Sequence, residues 1–403
     1  MNKQKKINNR RSFLKKSSLS TIPLLLPTIN LTTTTSSMNT LNQKAATKKT
    51  PVNFLYDGLG FSPSTYLNKL QEINKAKGIE RDIYGNGGDT KALEEAFSKI
   101  TGKEKAIYLP TGTMANQLAI KLLNGNNTKI LVPENSHIFR DEADAAQSVH
   151  NKRLIPIGKN QAYFSLKDVE NAIEYLEENE VFKSGLGTIV IENPVRRADG
   201  KAIPIEEIKA ISDYCKQQGY RLHLDGARLH IANAYTNVSI SEYAAYFDTV
   251  YISLYKYLNA TGGAILCGEA AIIDQIEHQI KIYGGTVFQN WGHTAMALHY
   301  LEGIEERWQQ VVISAGKLMK ALNKLNGINV SSLPNGTNIY DLKLAETIDL
   351  KTLASFLSKE HNIWLGRANE AGIVKLTVNE SLLNRDIQEI IAAWKKGVQQ
   401  AKQ

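Results

Sequence analysis

The chain of 403 residues predicts an α/β fold with a mostly parallel sheet, followed by a smaller α+β domain. Three observations carry that expectation. Helix-like and strand-like segments alternate from residue 85, the strand-like ones are apolar on both faces, and beyond about residue 300 the alternation gives way to long helical stretches with a few short strands. With 42% hydrophobic residues, a chain of this length can bury a large core, and the length itself fits two to three structural units.

The first 50 residues stand apart. They hold ten Lys/Arg and no Asp or Glu. Removing those ten from the 48 basic residues leaves 38 against 40 acids, a net of −2, so the formal charge of +8 resides in this leader and no nucleic-acid partner is expected. Its grammar is a basic start, the run Asn9-Arg-Arg-Ser-Phe-Leu-Lys15, a weakly apolar stretch from Leu19 to Leu31, and then Thr/Ser-rich sequence. Paired arginines before Phe-Leu-Lys resemble a twin-arginine export signal, an address read by a receptor. Periplasmic or exported location is therefore the expectation; the alternatives are a disordered tail on a cytoplasmic protein, or a true start at Met38. Pro23 and Pro27 interrupt a run already too short for a bilayer-spanning helix, so no membrane anchor is expected. The two cysteines, Cys215 and Cys267, read as buried thiols.

Residues 51–84 are expected to join the small domain, 85–300 to form the large domain, and 301–403 the small one. In order, Asp89/Thr90 caps a helix with Leu93, Ala96, Phe97 and Ile100 on one face, and Ala106 to Pro110 follows as a strand. A helix from Thr113 to Leu123 stops at Gly125, and Lys129 to Val132 is a strand. Leu166 to Leu176 is a helix, Thr188 to Ile191 a strand, and Pro204 to Gln218 a helix with proline near its first turn. Strands then run from Arg221 to Leu224, Thr249 to Leu254 and Ala264 to Cys267. The small domain reads as Ile339 to Leu344, a helix from Leu350 to Leu357, Val374 to Val378, and a closing helix from Arg385.

The chemistry gathers at strand ends. Asp225, in His223-Leu-Asp-Gly-Ala-Arg228, ends an apolar strand, where a carboxylate is costly to bury without a partner. Lys256 ends another before a glycine-rich return, and only two Lys/Arg occur between 251 and 300. An acid for a pyridine nitrogen and an amine for an aldehyde are what pyridoxal 5'-phosphate requires; the plainer readings are a turn-capping aspartate and a surface lysine. Thr111-Gly112-Thr113 opens a helix, where backbone amides and the helix dipole suit a phosphate and where threonine is also an ordinary cap. His137 follows the next strand and would either stack on a ring or cap a turn. Arg228 would clamp a substrate carboxylate or hold the phosphate. No metal site is read from the sequence.

Taken together, Tyr84-Gly-Asn-Gly-Gly-Asp-Thr, Leu109-Pro-Thr-Gly-Thr-Met-Ala-Asn, Asn135-Ser-His-Ile-Phe, Ile191-Glu-Asn-Pro-Val-Arg-Arg, His223-Leu-Asp-Gly-Ala-Arg-Leu and the Lys256 strand resemble the threonine aldolase/aromatic amino acid β-eliminating lyase family, in order and spacing, from about residue 53 onward. The resemblance implies a fold type I pyridoxal-phosphate enzyme, a homodimer or homotetramer, acting on an amino acid. It implies cleavage of L-threonine, L-allo-threonine or a related β-hydroxy amino acid to glycine and an aldehyde. The alternatives are β-elimination from an aromatic or sulfur amino acid, or a non-catalytic cofactor-binding protein. By motif, Lys256 would bond the cofactor aldehyde, Asp225 would face the pyridine nitrogen and His137 would stack on the ring. Thr111, Gly112 and Thr113 would then take the phosphate and Arg228 the substrate carboxylate.

The departures surround the substrate. Lys375 stands where aldolases place a second carboxylate-binding arginine, and a histidine expected near Val181-Phe-Lys183 is absent. Phe288 replaces an arginine that reaches a neighbouring subunit. Leu55-Tyr56-Asp57 replaces Arg-Ser-Asp, and Tyr257 replaces the glycine after the lysine. Lys375, Tyr56 and Tyr257 are therefore expected to line the substrate side.

Overall fold

The computed structural model describes residues 49–402. The basic leader, with Arg10-Arg11 and the apolar run after it, lies outside those residues. The described chain holds twelve strands: β1 (Val52–Asn53), β2 (Lys105–Leu109), β3 (Lys129–Pro133), β4 (Arg153–Ile157), β5 (Leu186–Glu192), β6 (Arg221–Asp225), β7 (Thr249–Ser253), β8 (Ala264–Gly268), β9 (Ile328–Ser332), β10 (Ile339–Leu344), β11 (Ile363–Trp364) and β12 (Val374–Thr377).

Seven of them form one sheet in the order β2-β8-β7-β6-β5-β3-β4. The block from β7 through β4 is parallel, and β8 alone runs against both its neighbours. β3, β7 and β8 are buried along their whole length, which requires cover on both faces and explains why these strands lack polar alternation in sequence. β8 is antiparallel because a short return joins it to β7, whereas parallel neighbours need a crossover of a dozen residues or more. That return carries Lys256.

Register fixes what happens at the carboxyl edge. Glu192 on β5 lies opposite Asp225 on β6, which lies opposite Tyr251 on β7, so the three side chains leave the sheet on one face. Helix Gly112–Asn124 packs across this part of the sheet, with Ala115, Leu118 and Ala119 fully buried against Leu109, Tyr251 and Leu266.

A second, three-stranded antiparallel sheet has the order β12-β10-β9. β1 pairs in parallel with β11, and Phe54 meets Trp394 edge to face at 6.2 Å. The N-terminal segment is thereby bound to the C-terminal part of the chain and delivers residues 55–60 to the Lys256 return: the Leu59 N–H donates to Asn259 Oδ1 at 2.7 Å. Gly58 is required there, since a Cβ would stand 2.3 Å from the Lys256 carbonyl oxygen.

Three of the elements that the sequence expectation leaves out show why. Helix Pro63–Lys77, capped by Ser62, buries little besides Ile73, so its apolar pattern is faint. β4 carries Pro156 and lies at the sheet edge, where proline costs no ladder bond. β9 lies within a stretch read as helical; Ile328 and Val330 face inward, and the Asn323 side chain brackets Val330 through both its N–H and its carbonyl. Cys215 and Cys267 are free and buried, as expected. No described helix is long and apolar enough to cross a membrane.

Candidate active site

At the carboxyl edge of the large sheet lies a cavity of about 650 Å³. Thr111, Gly112, Thr113, His137, Asp225, Arg228 and Lys256 all line it, so seven of the ten residues singled out from the sequence converge. Carboxyl edges of open α/β sheets are where ligands collect, because the loops there diverge.

Thr111 is both cap and wall. Its Oγ1 accepts the Met114 N–H at 3.2 Å, which leaves the N–H groups of Gly112 and Thr113 without intrahelical acceptors, as the opening of a helix demands. Those amides and the positive helix end suit an anion. Gly112 is needed because a Cβ there would meet Tyr251 Oη at 2.0 Å.

The floor is acidic. Asp225 is buried, and its carboxylate accepts from Asn116 Nδ2 at 3.1 Å and from the Ala227 N–H at 3.2 Å. Asn116, fully buried, also donates to Glu142 at 2.8 Å, so both its amide hydrogens serve carboxylates. Its carbonyl oxygen therefore accepts from His223 Nε2 at 3.1 Å, which assigns the proton to that nitrogen and makes Nδ1 the acceptor of the Thr249 hydroxyl at 2.8 Å. Burial holds His223 neutral, down to about 3. Burial, and then the charge of Glu142, push Asp225 upward against the pull of His137, the Ala227 N–H and Asn116. A buried carboxylate so placed, with no cation bonded to it among the described residues, fits a protonated ring nitrogen opposite.

His137 is held from two sides. Ser136 caps the short helix His137–Arg140, so capping is not the histidine's task. Its N–H donates to Glu192 at 2.6 Å and its Nδ1 contacts Glu142 at 2.9 Å. The Glu142 hydrogen bond raises its pKa against burial, with the charges of Asp225, Glu142 and Glu192 adding.

Arg228 is paired. Its Nε donates to Asp57 at 2.7 Å, both side chains being about 10% exposed. Burial alone would raise the Asp57 carboxyl; the Arg228 charge and hydrogen bond, together with Asn338, bring it below the usual aspartate value. No described group bonds the Nη nitrogens, which remain for a planar anion. Lys256 Nζ lies over the Tyr255 ring, 4.5 Å from its centroid.

Three expectations are corrected. Lys375 lies outside the cavity: Asp341, its cross-strand partner on β10, and Asp199 hold its amine at 2.6 and 2.9 Å. Tyr257 is 1% exposed and packs edge to face on His230 and Trp308, in the core beneath the lysine return. Tyr56 is 58% exposed and does not line the cavity; the same segment supplies Asp57 instead. Conversely, Glu192, Asp141, Tyr255 and His293 line the cavity without having been singled out. Glu192 was readable: it ends an apolar strand, as Asp225 does.

Fold and site together define a fold type I pyridoxal-phosphate enzyme. The chain belongs to the β-eliminating lyase family, whose model matches residues 69–345. It is 34% identical to the low-specificity L-threonine aldolase of Candida albicans over 55% of this chain and 59% of that one. To its namesake in Eremothecium gossypii it is 30% identical, over 71% and 75%. The crystal structure of a Listeria monocytogenes protein provisionally named L-allo-threonine aldolase superposes with a TM-score of 0.70 at 24% identity, covering 87% of this chain and 97% of that one. That likeness speaks for the fold alone.

Proposed function

We propose that the protein is a pyridoxal-phosphate-dependent carbon–carbon lyase that cleaves a β-hydroxy amino acid of the threonine or allo-threonine type to glycine and an aldehyde. The observation that carries this reading is the meeting of Lys256, Asp225 and the open fork of Arg228 in one cavity. Bound, the cofactor supplies an electron sink for the pair left on the α-carbon when the Cα–Cβ bond breaks.

The residues divide the remaining work. Lys256 would bond the aldehyde, and Asp225 would keep a proton on the ring nitrogen. Gly112 and Thr113 would offer N–H groups to the phosphate, while His137 would flank the ring. Arg228, steadied by Asp57 at Nε, presents Nη1 and Nη2 to the substrate carboxylate. Assembly as a homodimer or homotetramer belongs to the same reading and is supported by the exposed, edge-to-face pair Tyr84 and Phe288. So does export, which the Arg10-Arg11 run supports.

The test is product analysis with the cofactor-loaded protein and a panel of amino acids. Glycine and an aldehyde in equal amounts are expected from threonine or allo-threonine. Pyruvate and ammonia from an aromatic or sulfur amino acid, with no glycine from any β-hydroxy substrate, would replace this reading with β-elimination.

A further inference from the structure

Glu192 has no place in the roles just described, yet it closes β5 beside Asp225 and lines the cavity at 4% exposure. We propose that Glu192 is the acid–base residue of this site, its carboxylate taking the proton of the substrate β-hydroxyl as the Cα–Cβ bond breaks. The step rests on the retro-aldol reading and balances. The O–H pair becomes the second bond of the aldehyde carbonyl, the Cα–Cβ pair stays on the α-carbon, and glycine is completed when that carbon takes up a proton.

Geometry selects Glu192. One oxygen accepts the His137 N–H at 2.6 Å and the other the Arg196 N–H at 2.8 Å. Each oxygen thus keeps a second lone pair for a substrate hydroxyl, and the two backbone bonds hold the carboxylate still. No described cation forms an ion pair with it. Three neighbouring groups have other tasks: Asp141 is gripped by Arg197 through both oxygens, Asp225 is reserved for the ring nitrogen, and His137 has its Nδ1 on Glu142. A raised histidine pKa favours imidazolium, a poor base.

The charges around Glu192 suit proton exchange near neutrality. Burial and then the neighbouring Asp225 push it up to about 7, while the Arg196 and His137 N–H groups and the Arg228 charge oppose them. Arg228 is itself offset by Asp57. A base poised near the working pH combines availability with driving force.

The test compares the cofactor-loaded wild type with Glu192→Gln and Glu192→Asp. Aldehyde release from threonine and allo-threonine is measured from pH 5 to 9, beside deuterium exchange at the α-carbon of glycine, which involves no hydroxyl, and cofactor titration by fluorescence. Loss of a general base costs about 10² to 10⁴-fold, so Glu192→Gln should lose at least about 100-fold in cleavage while exchange and cofactor affinity change by less than about threefold. The wild type should show an acid limb in kcat/KM that lies above the ordinary glutamate range, because burial raises the Glu192 carboxyl, absent from the glutamine variant's residual rate and retained by Glu192→Asp. Cleavage within about tenfold of wild type in Glu192→Gln would overturn the assignment, and so would equal losses of cleavage and exchange. Should the glutamine variant not fold, a wild type or Glu192→Asp profile without the limb overturns it. A wild type that exchanges glycine but releases no aldehyde from any substrate would sink the retro-aldol reading instead.

Discussion

Gly112→Ala isolates the phosphate cradle. The added methyl would stand 2.0 Å from Tyr251 Oη and 2.5 Å from Cζ, so the phenol or the helix start must move by more than about 1 Å to reach ordinary contact. Tyr251 is 3% exposed and wedged among Leu109, Ala115 and Leu118, so it cannot swing away freely. Overpacking of this kind costs about 1–3 kcal/mol. A similar displacement at the first two helical N–H groups should weaken cofactor binding by about 10- to 100-fold, or about 1.4–2.7 kcal/mol. Urea unfolding of the cofactor-free protein and fluorescence titration with pyridoxal phosphate measure the two quantities. The decisive control is the double variant with Tyr251→Phe, which removes the nearest atom but leaves Cζ, so part of both losses should be recovered. Losses that add within about 0.5 kcal/mol across the two sites would refute crowding against Tyr251 as their cause.

Other perturbations probe the floor and the rim. Because the folded Glu192 carboxyl sits at about 7 against an ordinary 4.5, the folded state holds its proton more tightly, and stability present below pH 4.5 is lost as pH rises through 7. Relative to Glu192→Gln, the cofactor-free wild type should lose about 3 kcal/mol between pH 4.5 and 8; equal urea midpoint trends in the two proteins would contradict this. Referencing to the variant removes the opposite trend of the buried His223 and His230, whose lowered values are shared. Asp57→Asn should destabilise by about 3 kcal/mol, the low end for a broken buried pair because Glu192 and Asp225 still face Arg228, and should raise KM for the amino acid more than it lowers kcat. Lys375→Met should leave KM within about twofold, since its amine serves Asp199 and Asp341 and not the cavity; a tenfold rise would restore it to the substrate side.

What was legible in the sequence follows from what sequence periodicity encodes. Buried parallel strands announce themselves because both faces must be apolar, and β3, β5, β6, β7 and β8 were found that way, as was the lysine-bearing return. Edge elements were not: β4 is partly exposed and β9 alternates over only two buried residues. Functional residues at strand ends were readable because a charge closing an apolar strand needs a reason. Substrate-side residues were harder, because their positions depend on which neighbour reaches them first. Lys375 was claimed by an aspartate directly across the β10–β12 ladder, and Tyr257 points into the core although the lysine before it points out. Neither fact is written in spacing along the chain.

The cavity floor joins these threads. Asp225, Glu142 and Glu192 are all buried within reach of His137, and the one deeply buried guanidinium nearby, that of Arg228, is already matched by Asp57. A protein does not gather three carboxylates away from water for stability, since each costs several kcal/mol in desolvation, and His137, bonded to Glu142, can match only one of the three. Asn116 shares its two amide hydrogens between Asp225 and Glu142, which holds the acids at fixed separation without neutralising either. Such a floor is completed by a cation arriving from outside, and a protonated pyridine nitrogen is one. Cofactor binding should then lower the Asp225 carboxyl, relieve the repulsion on Glu192, and stabilise the fold more at pH 8 than at pH 5. A cofactor-induced rise in unfolding midpoint that is the same at both values would mean that the acids answer to one another through hydrogen bonds alone, and that the ring nitrogen is not the charge they await.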